Sequence, residues 1–472
     1  MSTDTTLAGS AAGRPALAPL TWGQELRATF TLAWPLVIAQ LAQNALFTTD
    51  VIMMGWLGPR YLAAGALASA FLMPFLLLGI GIVGAVAPLV AQARGARQIK
   101  AVRRVVRQGF WVAFVLSALL IPFLLQVGSI FDLLGQNPGT TVLVEQYIQI
   151  AVWSVIPQLL IIVLRSLLSA FDATRIILLV TVAGVVVNAI VNYLLMFGNF
   201  GFPRLELRGA AIATVATNCV MFGLLLAYVL RTRRFRRFYI LIRFWKPDWI
   251  RFRELFRIGT PIGLTILAEV ALFTGAAFLM GWLGTDEVAA HAVALQCAST
   301  AFMVPLGLGM AATVRVGIAY GRQDPDAIGK AGWVAFVLGT GFMAFTALLF
   351  ITAGPSIVGL FLDRDDPGNA NALYLAGTYL VVAGIFQLVD GAQVTAAHAL
   401  RGLSDTAVPM VVAIFGYWAV GMPVAYVLGF VAGWRGVGIW TGLAVGLACV
   451  AVILVSRFAM RERLGLVGTP NA

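Results

Sequence analysis

Charged residues are scarce in this sequence. Asp, Glu, Lys and Arg make up only 11% of its 472 residues, whereas 60% are hydrophobic and the mean hydropathy is +0.92. A soluble protein of this length could not bury so much apolar surface. The alternating pattern of a membrane β-barrel is also absent. The composition therefore indicates an integral membrane protein made of helices.

Histidine and cysteine are rarer still. The two histidines, His291 and His398, lie in different predicted helices and lack the HExxH spacing of a zinc enzyme. The three cysteines, Cys219, Cys297 and Cys449, are isolated in apolar segments, which argues against a disulfide framework or a thiolate metal site. No recognisable nucleophile or GxGD-type acid pair is present. We therefore expect neither enzyme activity nor a cofactor.

Long apolar runs account for most of the chain. Each is long enough to cross a hydrocarbon core of roughly 30 Å as a helix. Because their number is even, both termini lie on the same side of the membrane. We predict twelve spans, at about 28–57, 62–93, 105–128, 143–165, 176–200, 208–230, 258–284, 288–320, 331–353, 372–398, 407–430 and 436–456.

Lys and Arg are concentrated on one side of the predicted membrane. If the amino terminus is cytoplasmic, segments on that side hold 27 of the 32 Lys and Arg, including ten from Arg231 to Arg257. This asymmetry follows the positive-inside rule and predicts that both termini are cytoplasmic. The net charge of +12 is thus explained by topology and by contact with anionic lipids. We expect no nucleic-acid partner.

The sequence contains an internal repeat. MGWLG occurs at Met54 to Gly58 and again at Met280 to Gly284, an offset of 226 residues. The same offset aligns Pro35 with Pro261, and WVAFVL recurs with an offset of 222. Each copy contains six spans, so both copies enter the membrane in the same orientation. They should be related by an axis along the membrane normal.

These observations predict an all-α integral membrane fold with twelve transmembrane helices in two six-helix lobes related by the repeat. Two lobes that face each other across a central cleft suit a transporter that rocks between inward-open and outward-open states. The predicted segments are a flexible cytoplasmic tail at 1–25, an N-lobe at 26–230, a basic cytoplasmic linker at 231–257, a C-lobe at 258–460 and a cytoplasmic tail at 461–472.

One glycine-rich stretch within span 2 resembles a nucleotide-binding pattern. Gly79 to Gly84 reads GIGIVG, but the dinucleotide fingerprint needs a strand before it and an acid about twenty residues after it. Small residues in a membrane span usually let two helices approach closely. We therefore predict that this stretch packs helices and binds no nucleotide.

Three of the twenty Asp and Glu fall at membrane depth: Asp50 in span 1, Glu269 in span 7 and Asp390 in span 10. Ionisable residues at such depth are costly and usually mark functional sites. The repeat places Gln43 at the position equivalent to Glu269, so the fold can be built with an amide there. A protonated acid that only bonds a neighbouring helix is the alternative role.

Four amide side chains accompany these acids at helical spacings. Two of them share a helix face with an acid, seven residues before Asp50 and three residues before Asp390. The other two are four residues apart on one face of span 5, and hydrogen bonding to a neighbouring helix is their alternative role. The four are Gln43, Gln387, Asn188 and Asn192.

Acids at this depth can carry a proton or bind a metal cation. The charge of each acid can change as a cleft opens and closes around it. Alternatively, Glu269 and Asp390, together with backbone and amide oxygens, can surround Na+, a cation that prefers oxygen ligands. We predict either H+ or Na+ as a coupling ion whose entry drives export.

Segments between about residues 25 and 460 carry a family resemblance. They include WPLVIAQ, TPIGLTI, FTTDVIMMGWLG, PLVAQARGA, VVNAIVNYLLMFG, AEVALF, ATVRVG and VDGAQVTAAHALRGLSDT. In this order they resemble the multidrug and toxic compound extrusion (MATE) family, and specifically its bacterial NorM-like branch.

The resemblance implies a V-shaped antiporter that exports amphipathic, often cationic drugs across the bacterial inner membrane in exchange for Na+ or H+. It implies that Asp50, Glu269 and Asp390 are the membrane acids of the family. Asn188 and Asn192 then face Asp50, and Glu269 with Asp390 forms the cation site of the C-lobe. We expect a monomer.

The main alternative is a flippase for lipid-linked precursors, which shares two lobes of apolar helices. Such a protein usually needs a basic cleft for pyrophosphate, whereas almost every Arg here lies in a loop or at a helix end. A major-facilitator exporter is disfavoured because the loop 94–107 lacks the Gly-x-x-x-Asp signature. A channel, the last alternative, would conduct without a counter-ion.

Overall fold

The computed structural model describes residues 21–467 except 134, 241, 243, 247, 364 and 365. Within this part, twelve helices are long and apolar enough to cross a membrane, which confirms the predicted number. A short helix follows α3 at Val127–Leu133, and another follows α6 at Arg233–Arg236. We number the long helices α1 Trp22–Leu57, α2 Pro59–Gly95, α3 Ile99–Leu124, α4 Pro138–Ala170, α5 Thr174–Phe197, α6 Glu206–Arg231, α7 Trp249–Leu283, α8 Thr285–Gly321, α9 Pro325–Val358, α10 Ala370–Gly402, α11 Ala407–Val431 and α12 Arg435–Ala459.

Helices α1 and α7 begin earlier than the predicted spans, because helix caps extend both toward the side predicted to be cytoplasmic. Helix α1 begins at Trp22, inside the predicted tail 1–25. Thr21 Oγ1 accepts from the Gln24 amide at 3.3 Å, and the Gln24 side chain accepts from the Thr21 amide at 3.0 Å. This capping box satisfies two amides that the helix start leaves free. Asp248 likewise caps α7, so part of the predicted linker 231–257 is helical.

The repeat is visible in the structure. Each MGWLG segment ends the first helix of its lobe, and the final glycine has positive φ, +125° at Gly58 and +149° at Gly284. Side chains with a Cβ rarely adopt these angles, which explains the glycine in both copies. The tryptophans of the two segments, Trp56 and Trp282, are about 70% exposed, as expected for aromatic side chains near the membrane surface.

The lobes meet where small residues let helix backbones touch. Helices α1 and α2 of the N-lobe pack against α7 and α8 of the C-lobe. A methyl group at Gly81 would collide with the Gly263 backbone, and one at Gly259 would collide with the carbonyl of Ile82. The stretch 79–84 therefore packs helices, as predicted. We call these contacts, with the matching approach of Gly95 to α8, the glycine seam.

Polar contacts reinforce the glycine seam. Arg315 of α8 donates to both carboxylate oxygens of Glu25 at the start of α1, with a distance of 2.8 Å from Nε to Oε1. Gln92 of α2 donates to the Gly402 carbonyl and to the Ser404 hydroxyl, both at 2.9 Å. Among the described residues, these interlobe bonds all lie in the half predicted to be cytoplasmic. The lobes are therefore joined on that side.

Candidate functional site

The acid of the N-lobe is held by an amide. Asp50 of α1 is 8% exposed, and the Asn192 amide nitrogen donates to its Oδ1 at 2.6 Å. Asn192, on α5, also donates to Asn188 Oδ1 at 3.1 Å. Asn192 thus bonds Asp50 directly, and Asn188 is linked to this acid through Asn192. An ionised acceptor makes such a bond about twice as strong as a neutral pair.

The two acids of the C-lobe lie within electrostatic range of each other. Asp390 of α10 is 5% exposed and falls within electrostatic range of Glu269 on α7. One carboxylate oxygen of Asp390, Oδ1, has no hydrogen-bond partner among the described residues. Because buried carboxylates seldom stay unpaired, this oxygen is available to a proton or a cation. The N-lobe acid, by contrast, already has a side-chain donor.

Two further polar residues border this acid pair, and the sequence reasoning missed both. Gln393 of α10 donates to the hydroxyl of Tyr417 at 2.8 Å. Tyr417 is fully buried and lies within electrostatic range of both Glu269 and Asp390. It belongs to a π-helical stretch of α11, Phe415–Gly421, a local widening that is frequent at functional sites. The spacing of Gln393, three residues after Asp390, could have revealed it.

A partly buried arginine lies beyond the acid pair, on the side predicted to be cytoplasmic. Arg401 of α10 is within electrostatic range of Glu269. His398 Nδ1 donates to the Val394 carbonyl at 2.8 Å, which leaves Nε2 to accept from Arg401 at 3.1 Å. His398 therefore positions a cation, and it is neither a metal ligand nor a base in this arrangement.

A small cavity is lined by Arg401 and by residues one helical turn from each acid. Its volume is about 10 Å³, which is enough for about one water. Thr265 lies one turn before Glu269, and Gln393 lies one turn after Asp390, so the cavity continues the polar faces of α7 and α10. The lining residues are Ile262, Thr265, Gln393, Ala397, Arg401, Thr406, Pro409, Ala413 and Leu454.

Comparison with known proteins identifies the fold and its repeat. The MatE family model matches residues 35–194 and again residues 261–427. The two matches start 226 residues apart, which is the offset of the internal repeat. The chain belongs to the MatE family. The family model thus reproduces the division into two related lobes.

Relatives of the MatE family cover nearly the whole chain. The chain is 46% identical to the probable multidrug resistance protein NorM of Brucella suis over 439 residues, or 93% of each sequence. It also resembles the solved structure of the eukaryotic MATE transporter AtDTX14, with a TM-score of 0.82 and 20% identity over 94% of this chain and 99% of that one. A multidrug resistance MATE transporter solved in an outward-facing conformation has a TM-score of 0.83, at 20% identity, over 94% and 97% of the two chains.

Among the predicted MatE-family site residues, two amides lie differently from the others. Gln387 Oε1 accepts from Thr346 at 2.8 Å, and its nitrogen donates to the Ala298 carbonyl at 3.4 Å. Both ends of this amide are therefore used to join α8, α9 and α10. Gln43 is half-buried and has no hydrogen bond within the described residues. Neither contacts an acid in this arrangement.

The donor set of the C-lobe limits how a metal ion can be bound in this MatE protein. Within the described chain, no three His, Cys, Asp or Glu side chains converge. Na+ prefers oxygen ligands, so Glu269 and Asp390 would need hydroxyl, amide, carbonyl or water oxygens beside them. Tyr417, within electrostatic range of both acids, and its hydrogen-bond partner Gln393 carry oxygens of this kind. A proton can bind one carboxylate oxygen without any further ligand.

Proposed function

We propose that multidrug efflux through this protein is driven by the entry of Na+ or H+ at Glu269 and Asp390. The observation that carries the proposal is the unpaired, buried Oδ1 of Asp390 beside a second carboxyl group. Two like charges within electrostatic range of each other in a water-poor site are unfavourable unless a cation or a proton neutralises them. Occupancy by the ion therefore changes the energy of this lobe.

Export follows from coupling this occupancy to the movement of the lobes. The lobes are joined at the glycine seam and by Glu25 with Arg315, and these contacts must part before the cleft can face the cytoplasm. A cation that stabilises one arrangement over the other shifts the equilibrium only by its differential affinity. We propose that ion binding and release supply this difference and alternate the access of the cleft.

Amphipathic organic cations are the proposed substrates. The relatives are named as multidrug resistance proteins, and carboxylates at membrane depth attract a positive ligand strongly where water is scarce. We place the protein in the inner membrane with both termini in the cytoplasm, because Lys and Arg follow the positive-inside rule. We also propose that it acts as a monomer.

Dye efflux from vesicles tests the proposal. The purified parent and Glu269→Gln are reconstituted, and ethidium export is measured with a Na+ gradient and a pH gradient imposed separately. We expect the parent to respond to at least one gradient and Glu269→Gln to respond to neither. Asp132→Asn removes an exposed carboxylate and serves as the matched control, which should behave like the parent.

The same experiment identifies the ion and can contradict the proposal. A response to the Na+ gradient alone assigns Na+, and a response to the pH gradient alone assigns H+. Gradient-driven efflux by Glu269→Gln at the parental rate would exclude the C-lobe pair as the coupling site. Efflux that continues with neither gradient and no counter-ion would instead indicate a channel.

A further inference from the structure

A basic pocket opens on the side of the molecule predicted to be cytoplasmic. Its volume is about 430 Å³. Six of the seven lining residues, 97–101 and 104, belong to the turn before α3 and its first turns, and the seventh is Arg251 near the start of α7. Because α3 belongs to the N-lobe and α7 to the C-lobe, the pocket lies at the junction of the lobes.

The pocket carries more positive charge than its neighbours neutralise. Arg97, Lys100 and Arg104 are exposed and form no ion pair within the described residues. Only the fourth cation, Arg251, is paired, with Glu254. A pocket lined by three unneutralised cations favours an anion with several acceptor oxygens.

The surroundings of the pocket are also positive. Arg322, just beyond the end of α8, is exposed and lies within electrostatic range of Arg315, Arg94 and Arg97 as well as the acid Asp324. Partial desolvation of its guanidinium, followed by these neighbouring cations, lowers the pKa of Arg322 from its ordinary value. Arg315 and Arg94 are already paired with Glu25 and Asp172. Arg97 and Arg322 are therefore the cations whose mutual repulsion an anion would relieve.

The start of α3 adds backbone donors to these side chains. Gln98 precedes the helix and makes no side-chain cap, and the residues of the first turn line the pocket. The first amides of a helix lack partners inside it and carry the positive end of its dipole. Together with the cations, they form a site suited to a phosphate group.

Apolar side chains beside the pocket indicate where the phosphate comes from. Ile99 forms part of the pocket wall and is 50% exposed. Trp249 and Ile250 directly precede Arg251 and are 64% and 81% exposed. Cations interleaved with exposed apolar and aromatic residues are typical of the region of lipid head groups.

We propose that this pocket binds the phosphate of an anionic membrane lipid in the cytoplasmic leaflet. The lipid bridges α3 of the N-lobe and α7 of the C-lobe on the side where the lobes already meet. It therefore stabilises the lobe junction. This inference concerns lipid binding and does not rest on the proposed ion coupling.

Lipid retention by the purified full-length protein tests this inference. The pocket variant combines Arg97→Gln, Lys100→Gln and Arg104→Gln. The matched control combines Arg233→Gln, Arg234→Gln and Arg236→Gln, which remove the same charge from exposed positions that do not line the pocket. Retained cardiolipin, phosphatidylglycerol and phosphatidylcholine are counted by native mass spectrometry, with and without inorganic phosphate as competitor.

We expect the parent and the control to retain an anionic lipid in preference to phosphatidylcholine. Each cation near the membrane surface strengthens the binding of an anionic lipid, and removal of three cations should weaken that binding on the order of 100-fold. Should the pocket variant fail size-exclusion chromatography, Arg104→Gln is compared with Arg234→Gln, and about fivefold weaker binding is expected for the former.

Three results would overturn the inference. Equal retention by the pocket variant and the parent would show that the pocket does not hold the lipid. Equal loss in the pocket variant and the control would assign retention to general surface charge. Complete displacement of the lipid by inorganic phosphate, without preference for any lipid, would assign the pocket to a free anion.

Discussion

The two lobes share one fold but bury different polar groups. In the N-lobe, Asp50 accepts a hydrogen bond from Asn192, so its acid is already satisfied by the protein. In the C-lobe, Asp390 is buried within electrostatic range of the half-buried Glu269, and its Oδ1 has no partner in the described chain. Because the carboxylate of Asp390 lacks the donor that Asp50 has, the C-lobe pair is the better candidate for ion binding.

The comparison extends to one arginine on the fourth helix of each lobe. Arg165 of α4 is 8% exposed and donates to the Gln40 side chain at 2.8 Å. Arg401 of α10 instead donates to His398 and lies within range of Glu269. Arg165 bonds a neutral amide, whereas the positive charge of Arg401 acts on Glu269. Arg401 therefore competes electrostatically with any cation that binds at the acid pair.

Neutralising Asp390 in the C-lobe should have the largest effect, and this effect is on dye efflux. We expect Asp390→Asn to reduce gradient-driven dye efflux at least about tenfold, because a loss of only about 1.4 kcal/mol of ion binding suffices for that. Asp50→Asn should reduce efflux less, because Asp50 already has a donor. Initial rates in vesicles of equal protein content measure both. An equal or larger loss with Asp50→Asn would reverse the assignment of the lobes.

Breaking the ion pair that joins the lobes, Glu25 with Arg315, should have the next largest effect, and this effect is on the stability of the fold. Arg315→Gln leaves Glu25, which is only 2% exposed, without its cation, and such a loss costs about 3–5 kcal/mol. Thermal unfolding of the purified protein measures it. The double variant Glu25→Gln with Arg315→Gln should regain part of the loss. Arg204→Gln breaks an exposed pair and should cost less than about 1 kcal/mol; a similar cost for Arg315→Gln would refute the role of the buried pair.

Removing the donor to the N-lobe acid should have an intermediate effect on stability. Asn192→Ala deletes the bond to Asp50, and a hydrogen bond to a charged group contributes about 1.5–3 kcal/mol. Asn218→Ala is the control, because that amide only bonds the Thr214 backbone. Melting temperatures of the two variants are compared at one detergent concentration. No difference between them would mean that Asn192 does not stabilise the N-lobe acid.

The hydrogen bond between the uncharged side chains of Thr346 and Gln387 should contribute least to stability. Thr346→Val removes the hydroxyl that donates to Gln387 and keeps a similar shape, so we expect a loss of about 0.5–1.5 kcal/mol. Dye efflux should stay at the parental rate, since Gln387 joins helices and does not contact an acid. A fall in efflux comparable to that of Asp390→Asn would instead make Gln387 part of the ion site.

Sequence reasoning reached the fold because the repeat and the apolar runs are local signals. MGWLG predicted equivalent helix ends, and Gly58 and Gly284 show why this segment is repeated. The helix starts were missed where a cap such as Thr21 with Gln24 continues a span beyond its apolar part. Charge and hydropathy alone do not mark such a start.

The site was predicted less completely, because its members come from different helices. Asp50, Glu269 and Asp390 could be identified by depth alone. Tyr417 comes within electrostatic range of the acids because α11 packs against α7 and α12 and because its π-helical stretch widens the helix there. Neither feature leaves a spacing signal. Gln387 shares a face with Asp390, yet its partners lie on other helices, 41 and 89 residues away in the chain.

The glycine seam has a consequence for reversibility. A junction of leucines would bury apolar surface at about 25 cal/mol per Å², and water would have to wet that surface each time the cleft turned inward. Backbones that touch at Gly81, Gly259 and Gly263 fit closely while hiding little side-chain hydrocarbon. In the proposed cycle, exposing the separated faces to water therefore costs little free energy. The lobes can part at the glycine seam and join again without being held in the joined state.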